Sequence, residues 1–181
     1  MKALVVYESM FGNTRAVAER IAEGLTRSAP DLIVTTVEIG HLQDDAFDGV
    51  TLLVLGCPTH AFGMPTAGSR QSALEQAGEF ALVSHGDGIR EFLPTLDSES
   101  CGVFATFDTH TTSRWVPGSA SRKVAKALER RGLTPLADPA SFYVEGVKGP
   151  LDDGEEDRAR AWGGALGTAL LQRYASAHHA G

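Results

Sequence analysis

Short apolar segments that alternate with helical patterns constrain the fold of this chain more than any other feature. KALVVYE, from Lys2, is apolar and β-branched and lacks strict alternation, which is typical of a strand buried on both faces of a parallel sheet. VTLLVLGCP, from Val50, is the most apolar segment, and DLIVTTVEI and CGVFATF begin at Asp31 and Cys101. SFYVEG, from Ser141, is shorter and flanked by prolines, as an edge strand can be. We therefore predict five β-strands.

Three segments with helical spacing lie between or after these strands, at residues 14–27, 119–131 and 154–175. The pattern blurs over residues 65–100, where only GIREFLPTL indicates a short helix. The alternation of strands and helices predicts one α/β domain over residues 1–175, with a doubly wound parallel sheet and helices on both faces. The remaining residues, 176–181, are predicted to be a frayed tail.

Composition excludes several classes of partner. The chain has 181 residues, 43% of them hydrophobic, which suits one domain with a substantial core. Its formal net charge of -7 at pH 7 repels nucleic-acid phosphate and anionic lipid, so neither nucleic acid nor membrane is an expected partner. Cys57 and Cys101 match no zinc or redox spacing, which predicts reduced, buried thiols. The apolar run from Ala3 to Tyr7 is too short for a signal peptide, and no segment has the ~20 apolar residues of a transmembrane helix, so we expect a cytoplasmic protein.

The turn after the first strand is SMFGNT, residues 9–14, and the first helix follows it. A helix N-terminus offers unpaired N–H groups and the positive end of the helix dipole to an anion. Ser9 and Thr14 add hydroxyl donors, and Gly12 lets the backbone come close, which indicates a phosphate nest without a cation. An ordinary capped helix start explains the same residues equally well, because Asn and Thr are good caps.

Other phosphate sites lack the residues they require. No Lys follows Gly12, so the turn is not a P-loop, and no GxGxxG follows the first strand, which disfavours a dinucleotide site. Neither cysteine has an arginine five residues later, which disfavours a cysteine-dependent phosphatase. The third strand ends in Cys57 rather than Asp, which disfavours a phospho-receiver domain.

Two further turns follow the third and fourth strands. GCPTHAFGMP, residues 56–65, is framed by two prolines and carries His60 and Phe62. His60 has no second ligand at suitable spacing, so no metal site is predicted. ATFDTHTTSRWVPG, residues 105–118, is rich in Thr and carries Trp115, and exposed loops with Trp commonly bind a ligand. Alternatively, Trp115 packs over the following helix.

Taken together, these turns resemble those of the flavodoxin family. SMFGNT resembles its (S/T)-x-x-G-x-T phosphate loop, GCPTHAFG is similar to its G-x-P-T-aromatic loop, and TFDT resembles its fourth-strand loop. The match covers nearly the whole chain, and the phosphate loop is its most specific part. The resemblance implies a flavodoxin-like, three-layer, doubly wound five-stranded parallel sheet of order 2-1-3-4-5, with FMN as the cofactor.

The resemblance also implies which residues bind FMN. The phosphate would contact Ser9, Met10, Phe11, Gly12, Asn13 and Thr14. After the third strand, the isoalloxazine would contact Pro58, Thr59, His60, Ala61, Phe62 and Gly63. After the fourth strand, the cofactor would contact Thr106, Phe107, Asp108, Thr109, His110 and Trp115.

Specific roles follow from the same resemblance. Phe62 or His60 would cover one face of the isoalloxazine ring, Trp115 or Phe107 the other, and Asp108 would meet the N3 edge. His60 departs from the family pattern, which tends to place Trp or Tyr there. A protonated histidine beside the ring would raise the flavin potential.

Two main functions agree with these residues. The favoured one is an electron carrier between a reductase and an acceptor protein, docking through acidic residues in PLDDGEEDRARAW and at Asp44, Asp45 and Asp48. Acids near helix N-termini also stabilise helices, which explains them equally well. The alternative is an FMN-dependent NAD(P)H:quinone-type oxidoreductase, in which the insert at 67–100 helps to close the site. A module that binds FMN weakly is a third reading, and no acid–base catalyst or nucleophile is predicted.

Overall fold

The computed structural model describes residues 1–60, 63–77, 83–111 and 118–179, with side chains except those of residues 44 and 177–179. Five parallel strands form one sheet in the order β2-β1-β3-β4-β5. The strands are β1 Lys2–Tyr7, β2 Ile33–Glu38, β3 Val50–Pro58, β4 Val103–Thr111 and β5 Ala140–Val144. The predicted fold class and strand order are confirmed.

Helices cover both faces of this sheet. They are α1 Asn13–Ser28, α2 Ala67–Ala77, α3 Ile89–Phe92, α4 Ala120–Glu129 and α5 Glu155–His179. Short 3-10 turns occupy Ile39–His41, Asp44–Phe47 and Leu93–Thr95. Helices α1 and α5 pack on one face, and α3 and α4 pack on the other.

Alternate residues of the central strands enter two separate cores. Along β1, Val5 faces the α1 and α5 side, whereas Leu4 and Val6 face the α3 and α4 side. Both faces are therefore dry, which explains why these strands show no polar alternation in sequence. Cys57 and Cys101 are free and buried, as predicted.

Close approach of α1 and α5 depends on small residues. A Cβ atom at Gly24 would lie 2.1 Å from the carbonyl oxygen of Arg160, and one at Gly163 would lie 2.2 Å from that of Ile21. Larger residues at these positions would force the helices apart. α5 continues to His179, beyond residue 175 where the sequence analysis ended it.

Helix α2 was not predicted, whereas the short helix in GIREFLPTL is confirmed as α3. Within α2 only Ala73 and Ala77 are buried, so no apolar stripe marks it in the sequence. In the described parts of the chain, no helix is both long and apolar enough to cross a bilayer.

Candidate functional site

A cavity of about 480 Å³ lies at the carboxyl ends of the strands, where doubly wound sheets bind ligands. The predicted site residues that line it are Ser9, Met10, Phe11, Asn13, Thr14, Pro58, Thr59, His60 and Thr109. The cavity is also lined by residues that were not predicted, namely Ser69, Ser72, Ala73, Gln76, Thr111, Val144, Gly146 and Val147. Predicted residues Ala61, Phe62 and Trp115 lie outside the described residues.

The turn after β1 is organised around the Ser9 hydroxyl. Ser9 is wholly buried, and its Oγ accepts hydrogen bonds from the N–H groups of Gly12 (3.2 Å) and Arg15 (3.3 Å). Gly12 has φ +91°, in the left-handed region that glycine tolerates best. The Asn13 side chain donates to the carbonyl of Lys148 at 2.9 Å, which joins the turn to the segment after β5.

This arrangement leaves donors available at the start of α1. Among the described residues, none accepts a hydrogen bond from the N–H groups of Met10, Phe11, Asn13 or Thr14. No acidic residue lies in the first turn of the helix. The described cavity lining contains no Asp, Glu, Lys or Arg. An anion at this point would be held by N–H groups, hydroxyls and the helix dipole alone, and this uncharged donor set fits a phosphate group.

The turn rests on the segment after α2. Val83 and Ser84 donate backbone hydrogen bonds to the carbonyls of Met10 (3.1 Å) and Ser9 (2.8 Å). The hydroxyl of Ser84 accepts from the N–H of Ser9 at 2.8 Å and donates to Oε1 of buried Glu38 at 2.5 Å. Sequence reasoning missed Ser84 and Glu38, because their pairing spans three separate segments and leaves no local pattern.

A buried carboxylate directly before the turn ties it to α2. Glu8 is wholly buried, and burial raises the pKa of its carboxyl despite the opposing effects of the Ile89 N–H and Arg70. Its Oε2 accepts from the N–H of Ile89 at 2.9 Å, and its Oε1 lies 3.3 Å from the Arg70 guanidinium. Arg70 also pairs with Glu91 at 2.9 Å. These contacts attach α2, one wall of the cavity, to the residue that precedes the turn after β1.

After β3, two backbone hydrogen bonds join His60 and Gly63. The N–H of His60 donates to the carbonyl of Gly63, and the N–H of Gly63 donates to the carbonyl of His60, both at 2.8 Å. The Nδ1 of His60 lies 3.1 Å from the Ser69 Oγ on α2. Burial and the nearby Arg70 charge lower the pKa of His60, which favours a neutral imidazole.

The predicted residues at the end of β4 divide between the cavity and the interior. Thr109 lines the cavity, and its Oγ1 lies 2.7 Å from that of Thr14. This contact joins the end of β4 to the start of α1. Thr106 is buried, does not line the cavity, and donates to the carbonyl of Ser121 in α4 at 3.1 Å, so its cofactor contact stays a prediction. His110 is partly buried, with its Nδ1 2.8 Å from the carbonyl of Thr111.

Phe107 lies in the core on the α1 and α5 side of the sheet. It is wholly buried and meets Phe142 and Trp162 edge-on, with ring centroids 6.2 Å and 6.5 Å away. A Cβ at Gly56 would lie 2.0 Å from the Phe107 ring, so β3 needs glycine opposite it. The ring is therefore enclosed by protein, and its stacking on the cofactor stays a prediction.

Asp108 is also wholly buried. Its Oδ2 accepts hydrogen bonds from the Thr59 hydroxyl (2.9 Å), the Ser119 hydroxyl (2.7 Å) and the Ser121 N–H (2.9 Å). Its Oδ1 has no hydrogen-bond partner within the described residues. The carboxylate therefore fastens the ends of β3 and β4 to the start of α4, and its contact with the N3 edge stays a prediction.

The acidic segment before and within α5 is largely engaged in ion pairs. Glu155 pairs with Arg158, and Asp157 pairs with Arg160. Glu156 lies 2.8 Å from Arg20 of α1. These pairs reduce the net negative charge that the segment presents.

The fold and this cavity define a doubly wound α/β protein with an uncharged turn, rich in N–H and hydroxyl donors, at the end of its first strand. The flavodoxin family profile matches residues 5–162, so the chain belongs to the flavodoxin family. No match was found among curated proteins.

Solved structures agree with this fold. A flavodoxin from the domain Archaea superposes with a TM-score of 0.64 at 19% identity, covering 94% of this chain and 99% of that one. Flavodoxin 2 from Bacillus cereus gives 0.64 at 18% identity, covering 96% and 99%. The flavodiiron core of Flv1 from Synechocystis sp. PCC6803 gives 0.63 at 18% identity, covering 96% of this chain and 36% of that one.

Proposed function

We propose that this protein binds FMN and carries electrons between a reductase and an acceptor protein. The observation that carries the proposal is the uncharged nest of N–H groups and hydroxyls at the start of α1, inside a cavity at the switch point of the sheet. Bound FMN would supply the electron chemistry, and the protein would hold it and tune its environment.

Residues at the ends of β1, β3 and β4 would each contact part of FMN. The N–H groups and hydroxyls of residues 9–14 would take the phosphate, as the free donors at the helix start indicate. Pro58, His60 and Thr109 line the same cavity and would contact the remainder of the cofactor. Asp108 and Ser84 lie behind these residues and would position them through the hydrogen bonds described above.

The cavity lining supports a carrier more than a substrate-specific enzyme. Apart from His60, the described lining has no side chain that titrates near neutral pH, and burial keeps His60 neutral. Proton transfer to a substrate would therefore lack a positioned acid or base. The cytoplasmic location expected from the sequence belongs to the same proposal.

One observation favours the alternative, an FMN-dependent NAD(P)H:quinone-type oxidoreductase. Helix α2 borders the cavity with the polar side chains of Ser69, Ser72 and Gln76, which gives the site a wall that a second ligand would contact. The two functions are separated by anaerobic mixing of the FMN-loaded protein with NAD(P)H and a quinone. Consumption of NAD(P)H would establish the oxidoreductase, whereas its absence together with one-electron photoreduction would support the carrier.

The phosphate site is tested by titrating FMN and following its fluorescence. Ser9→Ala and Thr14→Val should each weaken FMN binding by about 1–3 kcal/mol, because each removes hydrogen bonds at a charged ligand. Riboflavin, which lacks the phosphate, should lose less affinity than FMN in both variants. Thr26→Val is the matched control, since the Thr26 hydroxyl is exposed and bonds only to the carbonyl of Ala22 among the described residues. Unchanged FMN affinity in both site variants would refute the phosphate assignment.

A further inference from the structure

Helix α4 carries a concentration of positive charge that the rest of the acidic chain lacks. Arg122, Lys123, Lys126 and Arg130 are all exposed, and Glu129 is the single carboxylate among residues 120–130. None of these four basic residues forms an ion pair with another described residue. Their charge is therefore directed to solvent.

Four of the six arginines of α1 and α5 behave differently. Arg15, Arg20, Arg158 and Arg160 each pair with a carboxylate of their own or the neighbouring helix. Most of the arginine charge on that side of the sheet is therefore compensated within the protein, and Arg27 and Arg173 alone among these six form no ion pair with a described residue. On the α4 side it is available to a partner, even though the formal net charge of the chain is -7.

The basic face of α4, defined as Arg122, Lys123, Lys126 and Arg130, begins beside the cavity. The N–H of Ala120 donates to the hydroxyl of Thr59, a cavity residue, at 2.9 Å. The side chain of Lys123 extends over the turn after β3, because a Cβ at Gly63 would lie 2.7 Å from its Nζ. Positive charge thus lies next to the turn that the proposed function assigns to the flavin ring.

A groove next to this face adds a concave surface to it. The groove has a volume of about 550 Å³ and separates α4 from residues 135–139. Arg122 and Lys126 line it on the helix, together with Glu129, and Asp138 faces them from the opposite side. A partner segment in this groove would meet two cations and two carboxylates, so the groove adds shape, and the exposed basic face supplies the charge.

We infer that the basic face of α4 is a docking surface for an acidic face of the redox partner protein, an inference that rests on the proposed electron-transfer function. Charges act over about 10 Å at 0.1 M salt, so a local patch governs the final approach although the whole chain is acidic. An acidic partner held at α4 would lie against the edge of the cavity. The repulsion from the remaining surface would disfavour other orientations.

The test uses a fluorescently labelled oligo-glutamate peptide and measures its anisotropy with the FMN-free protein at increasing salt. The wild type should bind the peptide, and the affinity should fall as salt rises. Arg122→Gln/Lys123→Gln should weaken binding about fivefold, in line with the modest free energy of two exposed charge pairs. All four substituted positions, including the controls below, are exposed, and circular dichroism confirms that each variant folds.

The matched control is Arg27→Gln/Arg173→Gln, which makes the same change in net charge. These two arginines lie in α1 and α5, on the opposite face of the sheet from α4. Peptide affinity should stay at the wild-type value in this variant. Equal losses in both double variants, or no binding by the wild type, would overturn the inference. So would NADPH binding that is lost in Arg122→Gln/Lys123→Gln, since the cations would then serve a nucleotide phosphate.

A parallel FMN titration keeps the two proposals apart. Both double variants should bind FMN as the wild type does, because neither alters the cavity lining. Absence of FMN binding by the wild type would refute the proposed function, whereas the peptide measurement judges the charged face by itself.

Discussion

The ends of β1 and β4 meet at the same cavity but use their residues differently. After β1, the chain leaves the sheet at once, and five neighbouring residues line the cavity, namely Ser9, Met10, Phe11, Asn13 and Thr14. At the end of β4 the chain remains a strand to Thr111, so successive side chains point to opposite faces. Thr109 lines the cavity, whereas Phe107 and Asp108 are wholly buried.

The difference teaches that a turn motif and a strand end need different reasoning. A motif such as SMFGNT acts mainly through its backbone, so its local sequence suffices to recognise it. At the end of β4, the role of each side chain depends on where the strand stops and which helix covers each face. CGVFATF ends at Phe107 in sequence pattern, but the strand continues for four more residues.

Phe107 at the end of β4 gives the test with the largest expected effect. Phe107→Ala should lower the free energy of unfolding by about 3–5 kcal/mol, because it leaves a cavity between the sheet and α5. Urea denaturation of the FMN-free protein measures this loss. Riboflavin and FMN affinity of the folded variant should change little. A large loss of flavin affinity with unchanged stability would instead restore Phe107 to the ring.

Asp108 offers the next test, with a smaller expected effect. Asp108→Ala should lower the free energy of unfolding by about 2–3 kcal/mol, since the Ser121 N–H and two hydroxyls lose their shared acceptor. Asp108→Asn keeps one acceptor and should lose less. Denaturation curves of the two variants give the comparison. Equal stability of wild type and Asp108→Ala, together with weaker FMN binding, would show that the carboxylate acts on the ligand.

Gly12, in the turn after β1, gives the test with the smallest expected effect. Gly12→Ala should cost about 1–2 kcal/mol, because φ +91° is strained for a residue with a Cβ. No described atom lies within 4 Å of that Cβ, so strain rather than collision would cause the loss. Gly12→Asn should cost less, as Asn tolerates left-handed backbone better. Denaturation of FMN-free protein checks both, and a loss as large as that of Phe107→Ala would mean that the turn is packed rather than open.

The elements with a regular pattern were predictable, and α2 was not. β3 was predicted from Val50 to Pro58 and occupies those residues, and α1 begins and ends within one residue of its predicted bounds. Both bury continuous apolar surface, which leaves a periodic trace. Helix α2 buries only Ala73 and Ala77 and is attached through Arg70, whose partner Glu8 lies 62 residues earlier in the chain. Contacts of that kind leave no periodic trace.

By itself, the sequence determined the α/β class, the apolar strands and the neutral turn at residues 9–14, since each depends on local pattern or on backbone that the local residues allow. Only the tertiary structure decided that Phe107 and Asp108 are interior, that Ser84 and Glu38 support the turn, and that α2 lines the cavity. It also decided which charges remain available, because Glu156 of α5 meets Arg20 of α1 across a helix interface, while the cations of α4 meet no carboxylate among the described residues. The physical reason is common to all of these: burial and pairing depend on which segments the sheet order brings together.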